Sequence, residues 1–255
     1  MKNNKSLGQH WLKDRLILDD IASLASDGVE AEKCLEIGPG LGTLTSSLLR
    51  VFKEVEAVEF DENLAKNLPK SFPGKNLIVK NEDFLKYDLD AIEVPYVVAG
   101  NIPYYITSPI IDKILHAKKL PERIVLLIQK EVAERIAAEK GKQSLLSLMV
   151  QNRADVTLGP VVGKAFFTPP PKVDSQIIIL DPKETPEVSE EALDLAKKGF
   201  KMPRKKLIAN LAGSGCFSRE EALAALKALN LSENSRAEDL SLEDWEKLSN
   251  LNDLC

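Results

Sequence analysis

Up to about Leu180, short β-rich runs alternate with segments of helical periodicity, and this alternation restricts the fold more than any other feature of the chain. Runs at 33–37, 55–59, 77–80, 96–100, 124–128, 154–158 and 175–180 read as strands. Helical patterns fall at 15–25, 43–52, 62–68, 109–117 and 143–152. Such an order builds a parallel sheet with helices on its faces. For one helix the sequence predicts a start at Ser108 and Pro109, a hydroxyl N-cap followed by a residue whose missing N–H costs nothing at the first helical position. The stretch DPKETPEVS, residues 181–189, is polar, holds two Pro and reads as a linker. Beyond it the periodicity is purely helical: Leu193, Ala196 and Phe200 share a face, and Leu242, Trp245, Leu248 and Leu251 share another. Ser218 and Glu221 form a capping-box pair ahead of a Leu/Ala helix. The expectation is an α/β domain over 1–183 and a small all-helical domain over 184–255.

Composition narrows the function classes. In a chain of 255 residues, 44% hydrophobic content supplies a sizeable core and excludes wholesale disorder. Three Cys without a CxxC pair and only two His leave no basis for a metal site, so none is expected. The segment MKNNKSLGQHWLKD lacks an apolar secretory core, and the longest uncharged stretch, 94–111, carries three Pro that a spanning helix would not tolerate. A cytoplasmic location is expected, with no membrane partner and no obligate protein partner. The net charge of −5 argues mildly against a polyanionic ligand, but it is unevenly spread. Lys197, Lys198, Lys201, Arg204, Lys205 and Lys206 cluster with no acid among them, whereas residues 218–255 hold nine acids against four bases. Fields act locally, within about 8–10 Å, so the cluster outweighs the average.

The strand at 33–37 runs into Gly38-Pro39-Gly40-Leu41-Gly42 and then a helix. Glycines permit the sharp turn and let a ligand approach the backbone. Glu59 closes the next strand, 21 residues after Gly38, the offset at which a carboxylate meets ribose hydroxyls. Asp83 follows the third strand, placed for an adenine amino group. A glycine loop serves NAD equally well. Two details tilt the reading: the Gly-x-Gly-x-Gly spacing, and Glu36 on the strand before the loop. Both resemble the S-adenosylmethionine (SAM) motif of class I methyltransferases.

Ala99-Gly100-Asn101-Ile102-Pro103-Tyr104-Tyr105 is the most informative segment. An exocyclic amine is a poor nucleophile because its lone pair is delocalised into the ring. The Asn101 side-chain carbonyl, with a neighbouring backbone carbonyl, can accept both amine hydrogens and hold the nitrogen in line with a methyl donor. Pro103 stiffens the loop, and Tyr104 can stack on an extruded base for about 1–3 kcal/mol. Tyr105 reads as structural. Asn-Ile-Pro-Tyr resembles the (Asn/Asp)-x-Pro-(Tyr/Phe) motif of amino methyltransferases that act on nucleic-acid bases.

Three further stretches narrow the likeness. KSLGQHWL, residues 5–12, resembles the KSLGQNFL opening of the ribosomal RNA small-subunit adenine dimethyltransferases. FTPPPKVDS, residues 167–175, resembles that family's F-x-P-x-P-x-V-x-S block, and FKMPRKKL with Asn210-Leu211 resembles its F-x-x-R-(R/K)-K-x-L-x-x-N-L helix start. Together with the SAM and Asn-Ile-Pro-Tyr motifs, the likeness runs from about residue 5 to 211 and is specific as a combination.

The resemblance implies a Rossmann-like, class I SAM-dependent methyltransferase with a seven-stranded, mostly parallel sheet. It implies transfer of four methyl groups, two to the N6 of each of two adjacent adenines in the 3′-terminal hairpin loop of 16S rRNA, within the 30S subunit or its precursor, with a role in small-subunit assembly. His10, Leu12, Gly38, Gly40, Glu59, Asp83 and Asn101 would bind the cofactor, and Asn101, Pro103, Tyr104 and Phe167 would hold the base. The six basic residues from Lys197 to Lys206 would meet rRNA phosphates. His10 stands where the family pattern has Asn, and the sequence leaves open whether it is a surface residue or a cofactor contact. Alternatives are a 23S rRNA adenine-N6 methyltransferase of the macrolide-resistance type and a non-catalytic RNA-binding assembly factor.

Overall fold

The computed structural model describes residues 10–251. In chain order the strands are β1 (Trp11–Leu12), β2 (Lys33–Ile37), β3 (Glu54–Glu59), β4 (Leu77–Asn81), β5 (Tyr96–Asn101), β6 (Ile124–Gln129), β7 (Ala154–Val162), β8 (Phe167–Thr168) and β9 (Ser175–Pro182). The helices are α1 (Arg15–Ser26), α2 (Thr43–Val51), α3 (Glu62–Asn67), α4 (Thr107–Leu115), α5 (Lys130–Ile136) and α6 (Leu145–Gln151), then α7 (Glu190–Gly199), α8 (Leu207–Ser214), α9 (Arg219–Ala228) and α10 (Leu242–Asn250).

Seven strands form one sheet in the order β4-β3-β2-β5-β6-β9-β7. The first five are mutually parallel, and β9 runs antiparallel to both β6 and β7. The strand order reverses between β2 and β5, so the carboxyl ends of β2, β3 and β5 open a crevice of the kind that holds ligands in doubly wound folds. The central strands are buried on both faces, which explains their near-continuous apolar runs.

The chain divides into two compact units. One holds residues up to Ala133 together with Ala154–Pro182; the other holds Glu134–Arg153 together with residues from Lys183 onward. The expected division into 1–183 and 184–255 places 134–153 in the first unit; α6 instead packs with the helical one, where Leu148 shares a core with Ala192, Leu195, Leu211 and Trp245. In that unit Ser218 and Glu221 form the reciprocal cap expected at α9, and Ser144 with Ser147 forms another at α6. The expected start of α4 is displaced. A short 3-10 turn at Tyr104–Ile106 leads directly into Thr107, so Ser108 and Pro109 lie inside the first helical turn, where a missing N–H is equally harmless. None of the described helices is long and apolar enough to cross a membrane.

Candidate active site

The glycine loop between β2 and α2 shapes one wall of a cavity of about 270 Å³. Gly40 has φ +58°, and a Cβ there would sit 3.1 Å from the Trp11 indole nitrogen, so the turn and the close approach both require glycine. Gly42 has φ +79° and caps α2; a Cβ would come within 2.6 Å of Leu68 and 2.9 Å of Phe72. Gly42→Ala is therefore expected to lower unfolding stability by about 2 kcal/mol, read from a urea transition. An unshifted midpoint would show that Leu68 and Phe72 yield without cost.

At the carboxyl end of β3, Glu59 is buried, and its two oxygens accept backbone N–H bonds from Gly40 at 3.0 Å and Asp61 at 2.8 Å. Burial pushes its carboxyl pKa up, and these N–H bonds oppose that shift. Each oxygen retains acceptor capacity for a ligand hydroxyl. Asp83, past β4, accepts from the Leu85 N–H at 3.0 Å and lines the same cavity.

Asn101 closes β5, and its amide nitrogen donates to the His10 carbonyl at 3.0 Å. That bond fixes the amide's orientation and leaves its oxygen as the group available to an amine. Pro103 begins the 3-10 turn that carries Tyr104, whose hydroxyl shares a 2.7 Å hydrogen bond with buried Ser175. Burial raises the Tyr104 pKa, and the Ser175 hydrogen bond opposes this, so the phenol stays protonated at neutral pH. The His10 ring stacks on Tyr104 with centroids 6.1 Å apart, and its Nδ1–H donates to the Pro169 carbonyl at 2.8 Å.

The structure thus gathers His10, Leu12, Gly38 and Gly40 around one cavity. Glu59, Asp83, Asn101, Pro103 and Tyr104 line it too. Phe167 does not. It is 3% exposed, is paired across the β1–β8 ladder with Leu12, and packs in the core. The block 167–175 reaches the site through the Pro169 carbonyl and the Ser175 hydroxyl instead. Tyr105 corrects the other way: 66% exposed, it lines the cavity, because successive residues of a 3-10 turn point about 120° apart. Glu36, 1% exposed, also lines the cavity, and its position ahead of the glycine loop was the sequence signal for it.

The basic cluster lies in the other unit and is mostly a loop. Lys197 and Lys198 end α7, where Lys197 pairs with Asp194 at 2.7 Å. Lys201, Arg204, Lys205 and Lys206 are exposed on the segment leading into α8. Buried Asn210 pins that segment by donating to the carbonyls of Gly199 at 2.7 Å and Met202 at 3.0 Å.

The cavity's charge tests what it can hold. Glu36, Glu59, Glu82 and Asp83 line it, and no Lys or Arg is among its described lining residues. A pyrophosphate would meet four acids and no Lys or Arg among these residues, whereas a ligand carrying positive charge meets complementary groups. The residues present therefore fit a cofactor of the charge that SAM carries.

Comparisons with known proteins agree with this geometry. The sequence profile described as "Ribosomal RNA adenine dimethylase" matches residues 1–253. A protein named ribosomal RNA small subunit methyltransferase A from Dehalococcoides mccartyi (strain CBDB1) is 40% identical, over 97% of this chain and 88% of its own. Its namesake from a Nostoc species is 40% identical over 98% of both chains. Among solved structures, a dimethyladenosine transferase from Plasmodium falciparum aligns with a TM-score of 0.79 and 31% identity, covering 94% of this chain and 96% of its own. The 23S rRNA methyltransferase ErmE aligns with a TM-score of 0.77 and 29% identity, covering 95% and 99%. With an acid-lined cavity, an amide pinned at the end of β5 and a profile match across nearly its whole length, the chain belongs to the ribosomal RNA adenine dimethylase family.

Proposed function

We propose that this protein uses SAM to dimethylate the N6 of two adjacent adenines in the 3′-terminal hairpin loop of 16S rRNA, acting in the cytoplasm on the small subunit or its precursor during assembly. The observation that carries the reading is Asn101: its amide nitrogen is committed to the His10 carbonyl, so its oxygen is left for a substrate amine beside a cavity suited to a cation. When bound, SAM supplies an electrophilic methyl group. Asn101 then accepts an amine hydrogen and steers the nitrogen lone pair out of the ring plane. Tyr104, with one face against His10 and its hydroxyl tied to Ser175, offers a fixed aromatic surface to the flipped base. No strong general base is needed, because the methylated ammonium is acidic enough to lose its proton to solvent. In the helical unit, Lys197, Lys198, Lys201, Arg204, Lys205 and Lys206 meet rRNA phosphates.

The names of the 40% identical relatives favour the small subunit over the 23S substrate named for ErmE. The test is incorporation of labelled methyl from SAM into unmodified small subunits, followed by nucleoside analysis. The expected product is N6,N6-dimethyladenosine in the small-subunit rRNA, with no labelling of protein-free 23S RNA. Labelling of 23S RNA alone would reassign the substrate, and no labelling of either would return the chain to a binding role.

A further inference from the structure

Tyr104 is tied at its tip, and a tip alone does not set the plane of a ring. In tyrosine the Cβ, Cγ, Cζ and hydroxyl oxygen atoms lie on one line. The 2.7 Å bond to Ser175 therefore fixes where the ring ends and leaves it free to turn about that line. A base that stacks on Tyr104 needs the plane fixed as well, because stacking depends on the mutual orientation of the two faces. The ring contact that Tyr104 makes among the described residues is with His10, whose imidazole lies 21° from parallel with centroids 6.1 Å apart.

The imidazole is aimed in turn. A carbonyl only accepts, so Nδ1 carries a hydrogen and donates it to Pro169 at 2.8 Å. The His10 carbonyl accepts the Asn101 amide at 3.0 Å, and the next two residues, Trp11 and Leu12, pair with Thr168 and Phe167. One half-buried residue thus holds the amine acceptor through its backbone and meets the base platform through its side chain. The Asn of the family pattern could still donate to the Pro169 carbonyl, but it has no ring to lay against Tyr104. We propose that the His10 side chain is a positioning residue: it sets the ring plane of Tyr104, and with it the angle at which the flipped adenine meets the methyl group, and cofactor affinity does not depend on it. This rests on the methyl-transfer reading above. A misaligned base loses rate at the reacting centre even when every site is filled, so the effect belongs to kcat.

The test is single-turnover transfer of labelled methyl to unmodified small subunits at saturating SAM and subunit, beside the affinity for S-adenosylhomocysteine. His10→Ala removes both the ring and the bond to Pro169, His10→Asn keeps a donor without a ring, and His10→Phe keeps a ring without the donor. Transfer by His10→Ala and His10→Asn should be roughly three- to tenfold slower, the size of one aromatic pair. His10→Phe should recover most of that loss, and S-adenosylhomocysteine affinity should be unchanged in all three. In a Tyr104→Ala background, His10→Ala should slow transfer no further, because the ring it orients is gone. Unchanged transfer in both His10→Ala and His10→Asn would overturn the proposal, and so would an equal loss with and without the Tyr104 ring. A fall in S-adenosylhomocysteine affinity of about tenfold or more in His10→Asn, the size of one lost hydrogen bond to a charged ligand, would make His10 a cofactor contact instead. Each of these leaves the methyl-transfer reading standing. Absence of transfer to any RNA by the unsubstituted protein would remove that reading, and the positioning role with it.

Discussion

Asn101→Ala is expected to reduce methyl transfer by roughly 10²–10³-fold, the loss seen when one preorganised hydrogen-bonding group is removed from a reacting centre. The effect should fall on kcat. Affinity for S-adenosylhomocysteine should stay within a few-fold, because Glu59, Asp83 and the glycine loop are untouched. The variant also leaves the His10 carbonyl without the 3.0 Å donor it has now, so a modest stability loss of about 1 kcal/mol should accompany it. Measuring single-turnover transfer on small subunits alongside cofactor affinity separates the two. A rate within about threefold of the unsubstituted protein would remove the amine-positioning argument.

The second large effect concerns the loop before α8. Replacing Arg204, Lys205 and Lys206 together with Gln should weaken small-subunit binding by roughly tenfold or more at low salt. It should also flatten the dependence of log K on log salt by about two to three units, because each cation that neutralises a phosphate displaces roughly one counterion and its replacement by Gln does not. These side chains are exposed, so the fold should survive the change. An unchanged salt slope would show that the loop is only a solvated surface, even if affinity fell for some other reason.

The sheet was legible because its central strands are buried on both faces and its runs are bounded by turn residues; each of the seven expected runs is a strand. The additional helix α5, KEVAERI, is hard to see in the sequence because its few apolar residues never complete a convincing stripe. The β1–β8 pair has two residues per strand and no pattern to read. Local chemistry at the site carried well: the glycine loop, Glu59, Asp83 and the Asn101–Tyr104 corner all border one cavity. What did not carry was direction. Phe167 and Tyr105 are both aromatic residues beside a motif, and composition cannot say which is turned inward. The long-range bonds from Asn101 to His10 and from Tyr104 to Ser175 decide how the corner is held, and no local pattern encodes them.

The assignment of 134–153 to the helical unit has a consequence for how such a chain can be rearranged. The backbone leaves the first unit after Ala133, returns at Ala154 and leaves again after Pro182. The second unit is therefore written in two separate stretches of gene. A truncation at 182 would strand α6, setting its buried Leu148 in water without the helices that cover it. Swapping the helical part between relatives in one crossover would join a resident α6 to a foreign α7. Recombination can exchange that unit cleanly only as a matched pair of segments, which ties the evolution of the basic loop to that of a helix some fifty residues upstream.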